Sequence, residues 1–131
     1  MIYVDSNVPM YLVGAEHPHK RRVVTLVPQL LSARDQLVTS AETFQELLHR
    51  YGALANPEHL SAAYDALEAL ISMVADVTKD DVDRARVHSG RYPRLSSRDC
   101  LHLAVMERIG SDSIWSYDTG FDAVGAIQRI A

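Results

Sequence analysis

The decamer MIYVDSNVPM, residues 1–10, decides how the rest of the chain is read. Ile2, Tyr3 and Val4 have the β-branched and aromatic make-up of a strand. Ser6, Asn7 and Pro9 directly after it favour a turn and a helix start. Between the two stands Asp5, an acid that a cap at Ser6 or Asn7 does not require. A short apolar strand that ends on a carboxylate and runs into a helix suggests the opening unit of an α/β domain. In open sheets of that kind, ligands bind beyond the carboxyl ends of the strands.

The rest of the chain repeats the alternation. HPHKRRVVTLVPQLLSARD (17–35) has helical spacing in Val23, Leu26, Val27, Leu30 and Leu31, with Pro28 expected to interrupt or kink it. QLVTS (36–40) predicts a strand. AETFQELLHRYGALA (41–55) carries Phe44, Leu47, Leu48 and Tyr51 at i, i+3, i+4 and i+7, the stripe of an amphipathic helix. HLSAAYDALEALI (59–71) predicts a helix, SMVADVT (72–78) a strand and KDDVDRARVHSGRY (79–92) a helix. After the loop PRLSS, RDCLHLAVMERIG (98–110) predicts a helix closed by Gly110. SIWSYD (113–118) and AIQRI (126–130) complete the strands. The expected fold is a three-layer α/β/α sandwich with a mostly parallel central sheet.

Composition narrows the class further. With 131 residues, 47% apolar and 23% charged, the chain fits one globular domain, residues 1–131, around a single core. No apolar run approaches the roughly 20 residues of a membrane helix, and a secretory signal is not expected. The single cysteine, Cys100, excludes an internal disulfide and agrees with a reducing cytoplasm. A net charge of −4, from 13 basic and 17 acidic side chains, argues against blanket nucleic-acid binding, though not against a local basic patch.

The strand-end rule collects four acids. Asp5 ends the first strand, Glu46 lies on the helix after QLVTS, Asp99 opens the helix after PRLSS, and Asp118 ends SIWSYD. Four carboxylates at one sheet edge repel unless a cation holds them. Oxygen ligands suit Mg²⁺ or Mn²⁺. Such ions activate water, polarise a phosphoryl group and stabilise a leaving oxygen, which is the chemistry of phosphodiester hydrolysis.

Taken singly, most of these acids have a simpler duty. Asp99 suits the positive end of a helix, and Asp118 suits a turn. Glu46 faces away from the apolar stripe, as a solvated residue would. Thr39-Ser40-Ala41-Glu42 matches a capping box, which assigns Glu42 to the helix start. Asp5 has the poorest structural excuse of the four. Asp122 stands close to Asp118 as a minor additional candidate.

Four segments in order carry a family resemblance: YVDSNV (3–8), TSAETFQELL (39–48), RDCLHLAVMERIG (98–110) and SIWSYDTGF (113–121). Together they resemble PIN-domain ribonucleases and, more narrowly, the VapC toxins of bacterial toxin–antitoxin pairs. The resemblance spans nearly the whole chain. The family's D-[TS]-N aspartate falls on Asp5 and its glutamate before a leucine pair on Glu46. The acid of its D-x-x-H-[LI]-A helix falls on Asp99, and that of its [TS]-x-D-x-x-F motif on Asp118. Serine stands at positions 6 and 116 where threonine is commoner, and Cys100 where the family often has alanine.

The resemblance implies a Mg²⁺-dependent (or Mn²⁺-dependent) endoribonuclease toxin that cuts a structured RNA, tRNA or ribosomal RNA, and so stops translation. Asp5, Glu46, Asp99 and Asp118 would be its catalytic, metal-holding acids. It also implies a cytoplasmic homodimer neutralised by a VapB-type antitoxin. Ser6, Asn7 and Ser116 would orient the carboxylates from behind. Arg91, Arg94 and Arg98, beside Asp99, are the better candidates for RNA phosphates, whereas Lys20–Arg22 reads as a solvated run.

The histidines lack zinc spacing, so His17 and His19 read as surface residues and His102 as a packed, structural one. Cys100 and Trp115 are expected in the core. Rival readings fit less well. An aspartyl phosphatase needs a second acid where Asn7 stands and a lysine for which only Lys79 is placed. A receiver-like phosphoacceptor module would have to use Asp76. An inactive PIN scaffold that acts as a binding module would not need four intact acids.

Overall fold

Ile2–Val4 form strand β1, and a computed structural model describes the whole chain, residues 1–131. Helices α1 (Asn7–Val13) and α2 (Pro18–Ser32) follow, then β2 (Leu37–Ser40), α3 (Ala41–Ala53) and α4 (Pro57–Leu70). The second half runs β3 (Met73–Ala75), α5 (Lys79–Arg91), α6 (Ser97–Ile109), β4 (Ser113–Trp115), a 3₁₀ helix (Thr119–Ala123) and β5 (Gln128–Ile130). The five strands make one parallel sheet in the order β3-β2-β1-β4-β5.

Strand alternation builds the layers. Ile2, Val4, Leu37 and Trp115 point to one face and are buried with Val8, Val23, Leu26, Leu47 and Leu67 of α1–α4. Tyr3, Val38, Ala75 and Ile114 point to the other face and are buried with Ala85 of α5 and Cys100, Leu103 and Met106 of α6. Strands buried on both faces read as unbroken apolar runs, which is how β1 and β4 look in the sequence. The expected α/β/α sandwich is the fold.

The connections fix where a site can form. From β1 the chain moves outward through β2 to β3, then crosses to β4 on the other side of β1. The order therefore reverses between β1 and β4, and a crevice opens at their carboxyl ends. Asp5 follows β1 directly, and Asp118 lies three residues past β4.

Several local expectations need correction. Pro28 does not interrupt its helix: α2 is continuous from Pro18 to Ser32, with Pro28 on the exposed side and Val23, Leu26 and Leu30 buried. Packing of the buried stripe outweighs the one backbone hydrogen bond that proline removes. Leu48 is 56% exposed, so the buried stripe of α3 is Phe44, Leu47 and Tyr51. The capping box at residues 39–42 is absent. The Ser40 hydroxyl meets Tyr3 Oη at 2.6 Å, and the Thr39 hydroxyl donates to the Val4 carbonyl at 2.7 Å. Ser6 likewise caps nothing with its side chain. Two capping boxes do form, Thr78 with Asp81 and Ser96 with Asp99. Gly110 ends α6 in the left-handed region, φ +78°, where a side chain would be strained.

Candidate active site

Asp5, Glu46, Asp99 and Asp118 line one cavity of about 480 Å³ at the carboxyl ends of β1 and β4. Its other walls include Ser6, Asn7, Ser96, Ser97, Arg94 and Arg98, and no hydrophobic residue contributes. Fold topology thus brings together acids from four segments far apart in the chain. Arg94 and Arg98, two of the three arginines expected to meet RNA phosphates, border the same cavity. Arg91 does not, and its guanidinium lies 5.4 Å from the Tyr92 ring centroid.

Asp5 is the most tightly held acid. Its Oδ1 accepts the Ser6 N–H at 2.7 Å, and its Oδ2 accepts the Ser116 hydroxyl at 2.6 Å and the Asn7 amide at 3.3 Å. Burial pushes its carboxyl above the ordinary range, against the pull of His102 and the Ser116 hydrogen bond. Ser116 Oγ also accepts the Asp118 N–H at 3.0 Å, and Asn7 Oδ1 accepts the Tyr117 N–H at 3.2 Å. Ser6, Asn7 and Ser116 thus all hydrogen-bond to Asp5.

Asp118 doubles as the cap of the 3₁₀ helix, its Oδ1 accepting the Gly120 N–H at 2.8 Å. A Cβ on Gly120 would sit 3.0 Å from that oxygen, so glycine keeps the carboxylate where it is. Asp99 also has two duties, completing the Ser96 capping box and facing the cavity. Burial, then the charge of Asp5, then Asp118 push its carboxyl up to about 7.

His102 was underrated by the sequence reading. It is fully buried as expected, but its Nε2 is bonded to Glu46 and lies 3.8 Å from Asp5 Oδ1. Its Nδ1 meets Tyr3 Oη at 2.6 Å. Burial alone would lower its pKa, yet the contacts with Tyr3, Glu46 and Asp5 hold it well above the ordinary imidazole range. A doubly protonated ring donates to Glu46 on one side and to Tyr3 on the other, and the Tyr3 proton then goes to Ser40. Burial pushes Glu46 up as well, but the His102 contacts and the Ser6 hydroxyl, 2.8 Å from Oε2, outweigh it and lower its pKa. The one signal for this role is position: His102 follows Asp99 by three residues, hence on the same helical face.

Other candidates fall outside. Asp122 is bound two-pronged by Arg129, at 2.8 and 3.0 Å. Glu42 is half-buried and in electrostatic reach of His102 and Glu46 but does not line the cavity. Lys79 donates to Asp83, and Asp76 follows the edge strand β3, so neither rival mechanism finds its second group here.

A PIN-domain family model matches residues 2–127. The chain belongs to the PIN-domain family, in its VapC branch. It is 45% identical over 131 residues to ribonuclease VapC13 of Mycobacterium tuberculosis, covering all of both chains. Ribonuclease VapC23 of the same organism is 40% identical over 118 residues, 90% of this chain and 93% of that one. Among solved structures, M. tuberculosis VapC20, a sarcin–ricin loop cleaving toxin, superposes with TM-score 0.74 at 21% identity, covering 95% of each chain. VapBC2 of Rickettsia felis, bound to a promoter DNA fragment, gives 0.75 at 12% identity over 99% of this chain and 98% of that one.

The donor set of this PIN domain fits a hard divalent cation. Asp5, Glu46 and His102 offer ligand atoms within 4.8 Å of one another. The carboxylate oxygens of Asp5, Glu46, Asp99 and Asp118 are the chemically suitable ligands, Glu46 being bonded also by His102 and Ser6. Cys100, the only thiol in the chain, is buried among the hydrophobic residues packed on the other face of the sheet. No helix of this PIN domain is long and apolar enough to cross a membrane.

The Tyr3 hydroxyl supports this arrangement from inside the core. Tyr3→Phe leaves the buried His102 Nδ1 without its partner, at a cost of about 1–3 kcal/mol. A urea titration of the PIN domain should show that loss as a lower midpoint at unchanged slope.

Proposed function

We propose that this PIN domain is a divalent-metal-dependent endoribonuclease, the toxin of a VapBC-type pair, acting on a structured RNA in the cytoplasm. One observation carries the reading: four carboxylates from four separate segments share a cavity walled by Arg94 and Arg98, with one of them pushed up to about 7. Such crowding is costly in an empty fold and suits a bound cation. The relatives VapC13 and VapC23 are ribonucleases, and VapC20 cleaves the sarcin–ricin loop. The solved neighbours from R. felis and Klebsiella pneumoniae are toxin–antitoxin complexes, which supports an antitoxin partner. A homodimer is the assembly expected of the pair.

In this reading Asp5, Asp99 and Asp118 would hold Mg²⁺ or Mn²⁺, and the ion would supply charge for the phosphoryl group and a lowered pKa for bound water. The chain's own residues set the geometry. Ser6, Asn7 and Ser116 fix the rotamer of Asp5, so the ligand is organised before metal arrives. His102 and Ser6 hold Glu46 ionised at the rim, where it can accept a proton. Arg94 and Arg98 supply positive charge for the substrate phosphate in an otherwise acidic cavity.

The test is digestion of total bacterial RNA by the purified protein, with 5′ ends mapped. Discrete new ends should appear with Mg²⁺ or Mn²⁺, vanish with a chelator and return when metal is restored. Cleavage that persists after chelation would sink metal dependence, and absence of any new end would sink the nuclease.

A further inference from the structure

The acid cavity has a neighbour. A cleft of about 410 Å³ opens between α1, the α1–α2 turn and the end of α3, and Asn7 lines both spaces. Its walls include Tyr11 of α1, His17 of the turn, and Arg50, Tyr51 and Leu54 at the end of α3. Tyr11 belongs to a cluster of four rings. Its centroid lies 4.9 Å from both His17 and His19 and 5.5 Å from Tyr117, and His19 stacks on Tyr117 at 4.6 Å. Tyr117 directly precedes Asp118, and its N–H is bound by Asn7, so the cluster is tied to the acid site through backbone and side chain.

Three polar groups of this cleft are uncommitted. His17 Nδ1 accepts the His19 N–H at 3.0 Å, but its Nε2 has no partner within the chain, nor has the Tyr11 hydroxyl or the Arg50 guanidinium. Glu16, the acid at the rim, is bound to Arg21. The cleft therefore combines ring faces, one free cation and unpaired hydrogen-bonding groups, beside carboxylates that would surround a reacting phosphodiester.

We propose that this cleft receives a nucleobase of the RNA strand flanking the scissile phosphodiester, stacked against Tyr11 and His17 and contacted by Arg50. The inference rests on the nuclease reading above. Sequence-specific RNA recognition splays bases out of loops onto aromatic and guanidinium planes, and single-strand binding adds a nearby cation. A nucleotide next to the cut must lie on one side of the cavity or the other. Arg94 and Arg98 line the acid cavity itself, and this cleft adds a ring platform next to it. A peptide could also fill this cleft, and the test below separates the two occupants.

The test compares wild type, Tyr11→Leu, Tyr11→Phe and Arg50→Gln in digestion of total bacterial RNA, reading initial rates at the mapped wild-type cut. Base–aromatic stacking predicts a loss of about 5- to 150-fold for Tyr11→Leu and near-complete retention for Tyr11→Phe. Arg50 is exposed and unpaired, so Arg50→Gln should lose cutting while melting at the wild-type temperature. Residual cutting by either deficient variant should also show a relaxed nucleotide preference beside the cut, which a loss of folding would not cause. Wild-type rates and preferences in both Tyr11→Leu and Arg50→Gln would overturn the proposal and leave the cleft to a peptide partner. A wild-type protein that produces no ends would remove the nuclease reading, and this subsite with it.

Discussion

Asp99→Asn is expected to abolish RNA cleavage and to make the metal-free protein more stable. The two effects have one cause. Asp99 sits among Asp5 and Asp118 with its carboxyl pushed up to about 7 by burial and by those neighbours, so at pH 8 the fold holds an ionised group it disfavours. The amide keeps the shape and can still accept the Ser96 N–H of the capping box, while removing the charge. Relief of that repulsion should be worth on the order of 1–3 kcal/mol at pH 8, read as a higher denaturation midpoint. Cleavage moves the other way. Loss of a partner that merely orients a metal ligand costs 10–100-fold, so loss of a ligand should cost roughly a thousandfold or more. An Asp99→Asn protein that cuts RNA at the wild-type rate would remove Asp99 from the site. One that is also destabilised at pH 8 would show that its structural cap, not the charge cluster, dominates.

The second large effect is a coupling between protons and metal. Asp5 and Asp99 have raised carboxyls in the folded chain, so between their unfolded and folded values the native state binds more protons than the unfolded one. Stability then falls as pH rises, and for Asp99 this spans about pH 4 to 7. His102 has the same sign. Its folded pKa lies well above the ordinary value, so its stabilising contribution is complete below about 6.5 and is lost as pH rises through the folded value. Glu46 opposes them only in acid, where its lowered carboxyl must be protonated. The chelated protein should therefore melt several degrees higher at pH 5.5 than at pH 8. Added Mn²⁺ or Mg²⁺ should reverse the order, because metal competes with protons for the same oxygens and stabilises by mass action where they are ionised. Melting curves at the two pH values, with and without metal, decide it. Equal metal-induced shifts at both would separate the ion from these acids.

How much of this was legible in the sequence differs from residue to residue. The layer order followed from strand and helix alternation, and Gly110 marked the end of α6, because both are set by local chemistry. Asp5 was legible because no local duty explained it. Glu46 was legible only through the family motif: periodicity placed it on a solvated face, and the fold shows that this face borders a cavity where His102 and Ser6 bind it. Ser6, Thr39 and Ser40 have the residue types of helix caps, yet their hydroxyls go to Glu46, to the Val4 carbonyl and to Tyr3. A cap is a local bond, and each was outcompeted by a partner brought near from another element. The opposite error hid the Ser96–Asp99 box, where an acid assigned to the site also serves the helix that carries it.

The order of the strands also bears on when the acid site is completed. In the sheet β1 lies between β2 and β4, but in synthesis β4 comes after everything except the 3₁₀ helix and β5. Asp5 depends on Ser116 to hold its carboxylate and on Asp118 to complete the cluster. Until the β4 segment emerges and docks, the growing chain has the first acid without its support or its last partner. A chain cut short before Asp118 therefore lacks a complete acid site.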